Sequence, residues 1–137
     1  MAKDIYHNQV KSALESEGWT ITADPYYLKM QAIEYEVDLG AEKIIAASKD
    51  NHKIAIEIKS FLVQSPTYEM HKAIGQFQTY AFALRKQEPE RILYLAVPIR
   101  IYEDFFVLPF IKELISFYNI KLIVFDPDNK KIVKWIN

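Results

Sequence analysis

The stretch from Lys53 to Val97 contains a strand pattern, a long helix pattern and a second strand pattern in succession. Side chains alternate in type from Lys53 to Phe61, which predicts a strand with two different faces. Thr67 to Gln87 carries apolar residues three or four positions apart and ends before Pro89, which predicts an amphipathic helix. Arg91 to Val97 is almost continuously apolar, as is typical of a strand buried on both faces. The order predicts a helix that crosses over a sheet between two of its strands.

Weaker patterns on both sides of this unit complete the predicted fold. Before the unit, the patterns predict a helix from Asp4 to Glu17 with Asp4 as N-cap and Gly18 as its end, and a strand from Trp19 to Thr22. Two strands between Glu34 and Ser48 with a turn near Gly40 follow, and then a polar turn from Lys49 to His52. After the unit, they predict helices between Ile101 and Tyr118 with a break at Pro109, and a hairpin of Ile120 to Phe125 and Lys131 to Ile136. The fold class is therefore α/β, an α+β arrangement around a mixed sheet, in the order α-β-β-β-α-β-α-β-β.

Composition limits the classes of protein that the chain can belong to. Its 137 residues fit one domain, 1–137, and 50% of them are hydrophobic while 26% are charged, which is typical of a globular protein. The absence of cysteine excludes disulfides and thiolate zinc sites. No apolar run is long enough to cross a bilayer and no secretion signal is recognisable, so we expect a cytoplasmic protein without a membrane partner. The net charge of −1 lacks the basic excess of many nucleic-acid-binding proteins, so if the chain binds DNA, a local patch or a partner must supply the positive charge.

Three charged residues stand out in this otherwise apolar pattern. Glu57 and Lys59 face the same side of their strand, where burial requires an ion pair, water or a metal ion. Asp38 ends the preceding predicted strand, so its carboxylate is expected to meet that of Glu57 across neighbouring strands. Two carboxylates with water and a substrate phosphate suit Mg²⁺, or Mn²⁺, and Lys59 could position the attacking water or neutralise charge on the phosphate. The alternative is that these charges lie on a solvated outer face.

Further polar residues are candidates for supporting roles. Gln76 and Tyr80 lie four positions apart on one face of the long helix and are candidates to hydrogen-bond Lys59, a water or the substrate backbone. The alternative for this pair is a surface amide and a packing residue. Glu36 lies two positions before Asp38 in a strand, so it is expected on the same side as a possible additional ligand.

Several phrases of the sequence resemble those of a known family. They are AKDIYHN (2–8), EGWTIT (17–22), VDLGAE (37–42), EIKSF (57–61), GQF (75–77), EPERILYLAVP (88–98) and the terminal WIN (135–137). In this order they are similar to the XisH family, whose members are named fdxN element excision controlling factors. The predicted elements and the pattern of Asp38, Glu57 and Lys59 resemble the PD-(D/E)XK nuclease superfamily.

The family resemblance implies a cyanobacterial protein that assists a site-specific recombinase in removing a DNA element during heterocyst development. It implies DNA, the recombinase and a small XisI-like protein as partners, and a homo-oligomer is compatible with it. The superfamily resemblance implies a Mg²⁺-dependent endodeoxyribonuclease with Asp38, Glu57 and Lys59 as catalytic residues, the two carboxylates being the metal ligands. Many relatives in the superfamily carry a glutamate on the first helix; His7 lies near that position and is a candidate ligand or general base, or else a surface or capping residue.

Two other functions remain open from the sequence. One is a nuclease-derived module that binds DNA or a recombinase without cutting. The other is the toxin-like half of a mobile gene pair that is restrained by its small partner.

Overall fold

The structure is a computed structural model and describes residues 3–45, 50–62 and 64–137. The elements are α1 (His7–Ser16), β1 (Thr20–Ala23), β2 (Tyr26–Met30), β3 (Ile33–Val37), β4 (Leu39–Ile45), β5 (Asp50–Ile58), α2 (Pro66–Gln87), β6 (Ile92–Pro98), α3 (Ile99–Ile101), a π-helical turn (Tyr102–Phe106), α4 (Pro109–Phe117), β7 (Leu122–Asp126) and β8 (Lys131–Ile136). No helix in these described ranges is both long and apolar enough to span a membrane.

Six strands form one mixed sheet in the order β1-β4-β5-β6-β7-β8. The three central strands β5, β6 and β7 run parallel, and the remaining neighbours pair antiparallel. The parallel β5–β6 pair is connected by α2, because parallel neighbours need a crossover instead of a tight turn. β2 and β3 form a separate two-stranded hairpin. The predicted α+β fold with a mixed sheet is confirmed.

The sheet separates two apolar layers. Ile54, Ile56 and Ile58 pack on the side of α1, whereas Ala55 packs on the side of α2. The alternation predicted along this strand is therefore confirmed, and it places Glu57 on the same side as Ala55.

The predicted element order was wrong between the first two helices: the order has three strands and the individual patterns describe four, whereas the structure has five. The turn expected near Gly40 is absent, because Gly40 lies inside β4 and the chain leaves β3 at Asp38. A Cβ atom at Gly40 would lie only 3.0 Å from Cδ2 of Tyr26 and 3.3 Å from Cβ of Ala23. Glycine is thus required there for close packing and not for a change of direction.

Two smaller predictions also need correction. The polar stretch predicted as a turn from Lys49 to His52 belongs to β5 from Asp50 onward, and Lys49 lies outside the described residues. Helix α1 begins at His7, so Asp4 is not its N-cap. The Asp4 carboxylate accepts hydrogen bonds from the backbone N–H groups of Tyr6 at 2.9 Å and Ser60 at 3.1 Å. Asp4 therefore ties the N-terminal segment to the chain just after β5.

A buried arginine joins the sheet to the end of α2. Arg91 donates from Nη1 to the carbonyl oxygen of Ile54 at 2.9 Å and from Nε to Oε1 of Glu88 at 2.6 Å. Its guanidinium carbon lies 4.7 Å from the ring centre of Tyr26, and Nη2 lies 3.4 Å from Oε2 of Glu42. The hydrogen bonds from Arg91, assisted by that from Tyr26, lower the pKa of Glu88 to about 2. The buried positive charge of Arg91 is therefore compensated by the carboxylates of Glu88 and Glu42.

Candidate active site

Asp38 and Glu57 meet where β5 ends and β4 begins. Oδ2 of Asp38 accepts a hydrogen bond from the backbone N–H of Ile58 at 2.7 Å, and Oε1 of Glu57 lies 3.4 Å from the backbone nitrogen of Asp38. These two contacts cross-link the junction between β3 and β4 to the last residues of β5. The two carboxylates therefore lie side by side at one end of the sheet.

Lys59 follows β5 directly and forms an ion pair with Glu57. Its Nζ lies 3.6 Å from Oε2 of Glu57, and its backbone N–H donates to the carbonyl oxygen of Ala96 on β6 at 3.0 Å. Glu57 is only 7% exposed, so its negative charge has little access to water. The structure thus brings Asp38, Glu57 and Lys59 together.

Burial favours the protonated forms of both acids, and the charge of Asp38 adds to this effect at Glu57. Burial raises the pKa of Asp38, although the hydrogen bond from Ile58 opposes the shift. Burial and the nearby charge of Asp38 raise the pKa of Glu57 to about 8, and Lys59 only partly offsets this. Such perturbed carboxyl groups in a cavity are typical of functional sites.

The raised pKa of Glu57 predicts that stability depends on pH when no divalent cation is present. Because the ordinary value is 4.5 and the folded value is about 8, the folded state holds a proton that the unfolded state has lost between these limits. This contribution to stability is complete below pH 4.5 and disappears as the pH rises through 8. We expect the melting temperature in EDTA to fall by a few degrees from pH 6 to pH 9, and less steeply in Glu57→Gln.

A matched control for this pH dependence is Glu90→Gln, which changes an exposed glutamate. It should keep the wild-type slope of melting temperature against pH. Equal slopes in wild type and Glu57→Gln would show that another group causes the pH dependence.

Tyr80 approaches the same region from α2, and Gln76 lies one helical turn before it. Tyr80 is 7% exposed, and burial together with the charges of Glu57 and Asp38 raises its pKa to about 12. The phenol therefore keeps its proton at neutral pH and remains a hydrogen-bond donor. Oε1 of Gln76 is buried and has no hydrogen-bond partner among the described residues, so it is a free acceptor. Their roles toward Lys59, water or substrate stay predictions.

His7, the first residue of α1, is held by the carboxylate of Asp24. It is 4% exposed, so the alternative that it is a surface residue is wrong, and it caps no helix with its side chain. Nε2 lies 2.7 Å from Oδ1 of Asp24, whose Oδ2 accepts from Lys11 at 2.7 Å. Burial acts to raise the pKa of Asp24, but the hydrogen bonds from Lys11 and His7 outweigh it and leave the pKa lowered. Asp24 is therefore a stable anion that orients the imidazole.

A cavity of about 200 Å³ brings these groups together, with His7, Asp24, Glu36, Asp38 and Glu57 in its lining. Within residues 3–45, 50–62 and 64–137, no group of three or more histidine or acidic side chains is arranged to hold a metal ion. The carboxylate pair alone still suits Mg²⁺, which commonly binds one or two carboxylates and completes its shell with water and phosphate. Roles for Glu36 and His7 as additional ligands stay predictions.

The sequence patterns missed part of this site. Asp24, Tyr27 and Lys3 also line the cavity, and the first two belong to the β2 hairpin or the loop that precedes it. The signal available in the sequence was the alternation of YYLKM at 26–30, whose burial alternates accordingly. The hairpin is therefore a wall of the site as well as part of the fold.

Comparisons with other proteins agree with the sequence phrases. The family model described as XisH protein matches residues 1–133. An XisH family protein from Nostoc punctiforme PCC 73102 has a solved structure with 42% sequence identity and a TM-score of 0.89, and the similarity covers 98% of this chain and 100% of that chain. A fdxN element excision controlling factor protein from Anabaena variabilis is 43% identical, with the same TM-score and coverage. None of the curated proteins matches significantly. The chain belongs to the XisH family.

Proposed function

We propose that this chain is a divalent-cation-dependent DNA phosphodiesterase that acts in the excision of a DNA element. The observation that carries the proposal is the pair formed by the buried Glu57 and the partly buried Asp38, with Lys59 beside it. The name of the Anabaena variabilis relative supports excision as the process. DNA, a site-specific recombinase and a small XisI-like protein are the proposed partners.

The arrangement of strands around the site supports a PD-(D/E)XK type of core. β4 and β5 pair antiparallel, and α2 then leads to β6, which pairs parallel with β5. The acidic residues lie at the junction before β4 and near the end of β5, and the lysine follows β5. This combination of crossover and charged residues supports the nuclease superfamily more strongly than either feature alone.

Each side chain has a role that follows from its surroundings. A divalent cation bound by the two carboxylates would neutralise phosphate charge and make an attacking water more acidic. Lys59 places a positive charge beside the carboxylates, where it stabilises the extra negative charge of the transition state. Tyr80 keeps its proton and can donate to a phosphate oxygen or a water. In the hydrolysis, the water oxygen bonds to phosphorus and gives up a proton to solvent, the bond to the leaving oxygen breaks, and that oxygen takes a proton from solvent.

The proposal predicts cation-dependent nicking in which Lys59 matters. We expect the wild-type chain to nick supercoiled or branched DNA in Mg²⁺ or Mn²⁺ and not in EDTA. Lys59→Met should slow nicking about 100-fold, as is usual when one charge-stabilising group is removed. Lys112→Met, which alters an exposed lysine on α4, should leave the rate unchanged. Gel separation of supercoiled and open-circular plasmid measures both.

A second candidate function is a module that binds DNA or a recombinase without cutting. It is favoured by the lack of a third acidic or histidine ligand among the described residues. Tight binding of DNA without any nicking in Mg²⁺ or Mn²⁺ would support this candidate and contradict the first.

A further inference from the structure

The outward face of the β2–β3 hairpin borders the carboxylate cavity. Tyr26, Leu28 and Met30 of β2 pack toward the apolar layer under α2, so the side chains between them face outward. Tyr27 is one of these: it is 43% exposed and lines the cavity together with Asp38 and Glu57. An aromatic ring is thus presented to solvent beside the buried acids.

The hairpin is fixed to the end of α2, which makes the position of this ring well defined. Tyr26 donates from its hydroxyl to Oε1 of Glu88 at 2.7 Å. The Gln87 side chain donates to the carbonyl oxygen of Tyr27 at 2.9 Å and accepts from the backbone N–H of Lys29 at 2.9 Å. The backbone on both sides of the Tyr27 side chain is therefore anchored, and a ligand that contacts the ring need not order this segment.

The cavity beside the carboxylates has room for a phosphate. Its volume of about 200 Å³ corresponds to roughly six or seven water molecules at about 30 Å³ each, which is enough for a phosphate and a few waters. Tyr27 both lines this cavity and is exposed to solvent, so a base next to a phosphate held at Asp38 and Glu57 can contact its ring.

The charged side chains around Tyr27 act differently on a DNA phosphate and on an uncharged nucleobase. Glu36 is the cross-strand partner of Tyr27 and also lines the cavity, so it repels a phosphate placed over the ring. Nζ of Lys29 lies over the Tyr27 ring, 5.9 Å from its centre, and attracts a phosphate, and Lys3 also lines the cavity. An uncharged base is repelled by neither Glu36 nor Lys29, so it can occupy the exposed ring.

We propose that Tyr27 stacks on one unpaired nucleobase next to the phosphate held by the carboxylates. This inference rests on the proposed function because it assumes a DNA substrate. It adds a substrate class, DNA with an unpaired base, since a base inside an intact duplex has no free face to offer.

Binding measured without cleavage tests the proposal. Fluorescence anisotropy with an end-labelled single-stranded oligonucleotide in Ca²⁺ gives the Kd of wild type and variants. Tyr27→Ala should raise this Kd about 10-fold, because one base–aromatic stack contributes about 1–3 kcal/mol. Tyr27→Phe keeps the ring and should stay within about twofold of wild type. Binding of the same sequence as a blunt duplex should be weaker and nearly insensitive to Tyr27→Ala.

Tyr68→Ala is a closely matched control. Tyr68 is 52% exposed on α2, and Nζ of Lys72 lies 5.9 Å from its ring centre, as Lys29 does for Tyr27. This variant should bind the single strand like wild type. The stacking role is overturned if Tyr27→Ala binds the single strand like wild type, or if it weakens single strand and duplex equally. Nicking by a wild type whose binding ignores Tyr27 would leave the proposed function intact, whereas Tyr27-dependent binding without nicking would favour the non-cutting module.

Discussion

Asp38→Asn should abolish cation-dependent nicking while leaving the fold intact. The amide oxygen can still accept the hydrogen bond that Ile58 donates to Asp38 at 2.7 Å, so the junction of β3 and β4 keeps its link to β5. The negative charge that holds the cation is lost, and we expect the nicking rate to fall at least about 1,000-fold. Plasmid nicking in Mg²⁺ and Mn²⁺ measures this loss.

The same variant separates cation binding from stability. A cation at a hundredfold excess over its Kd stabilises the wild-type fold by about 2.7 kcal/mol, which raises the melting temperature by several degrees. Asp38→Asn should lose this rise and, without the cation, melt at or above the wild-type temperature, because a carboxylate whose charge is disfavoured by burial has gone. Asp104→Asn, at an exposed position, should behave as wild type in both measurements. A metal-free melting temperature that drops sharply in Asp38→Asn, with no cation response in wild type, would mean that these acids hold the fold together instead.

Arg91→Leu should be the most destabilising single change outside the site. Without the guanidinium, the carboxylate of Glu88 and the carbonyl oxygen of Ile54 lose their partner in a region where Arg91 is 7% exposed. Breaking a buried ion pair from one side costs about 3–5 kcal/mol, which corresponds to a fall of roughly 10 °C or more in melting temperature for a domain of this size. Chemical denaturation measures the loss of free energy of unfolding directly.

Arg85→Leu is the control for Arg91→Leu, because Arg85 is exposed on the last turns of α2. Its free energy of unfolding should stay within about 0.5 kcal/mol of wild type. A loss below about 1 kcal/mol in Arg91→Leu would show that water replaces the guanidinium at little cost.

The centre of the fold and the acidic pair were predictable because their signals are local. The strand, helix and strand from β5 to β6 have long and unambiguous patterns, and the structure places them within a few residues of the predicted bounds. Glu57 and Lys59 stood out because two charges interrupt an apolar strand. Asp38 could be added because it ends the strand before.

The turn of the β2–β3 hairpin could not be predicted because it has no usual turn residue. Gln31, at the turn, has a φ of 51°, a conformation that normally favours glycine or asparagine. Conversely, Gly40 suggested a turn although its lack of a side chain serves packing against Tyr26. The contributions of Asp24 and Tyr27 to the cavity depend on docking against distant residues such as Gln87, and no local pattern reports such contacts.

Glu57 also bears on how the chain avoids aggregation before it is folded. The run from Ile54 to Ile58 is apolar except for Glu57, and β5 can pair with β6 only after the intervening α2 segment has been made, since Ile54 pairs with Ile92. Until then its edge is open to other chains, and an uncharged apolar segment of this kind promotes association. In the unfolded chain Glu57 has its ordinary pKa and is ionised at neutral pH, so the segment carries a charge while it is exposed. The carboxylate takes up a proton when the finished sheet encloses it without a cation, so the same residue is charged in the exposed segment and neutral in the folded, cation-free protein.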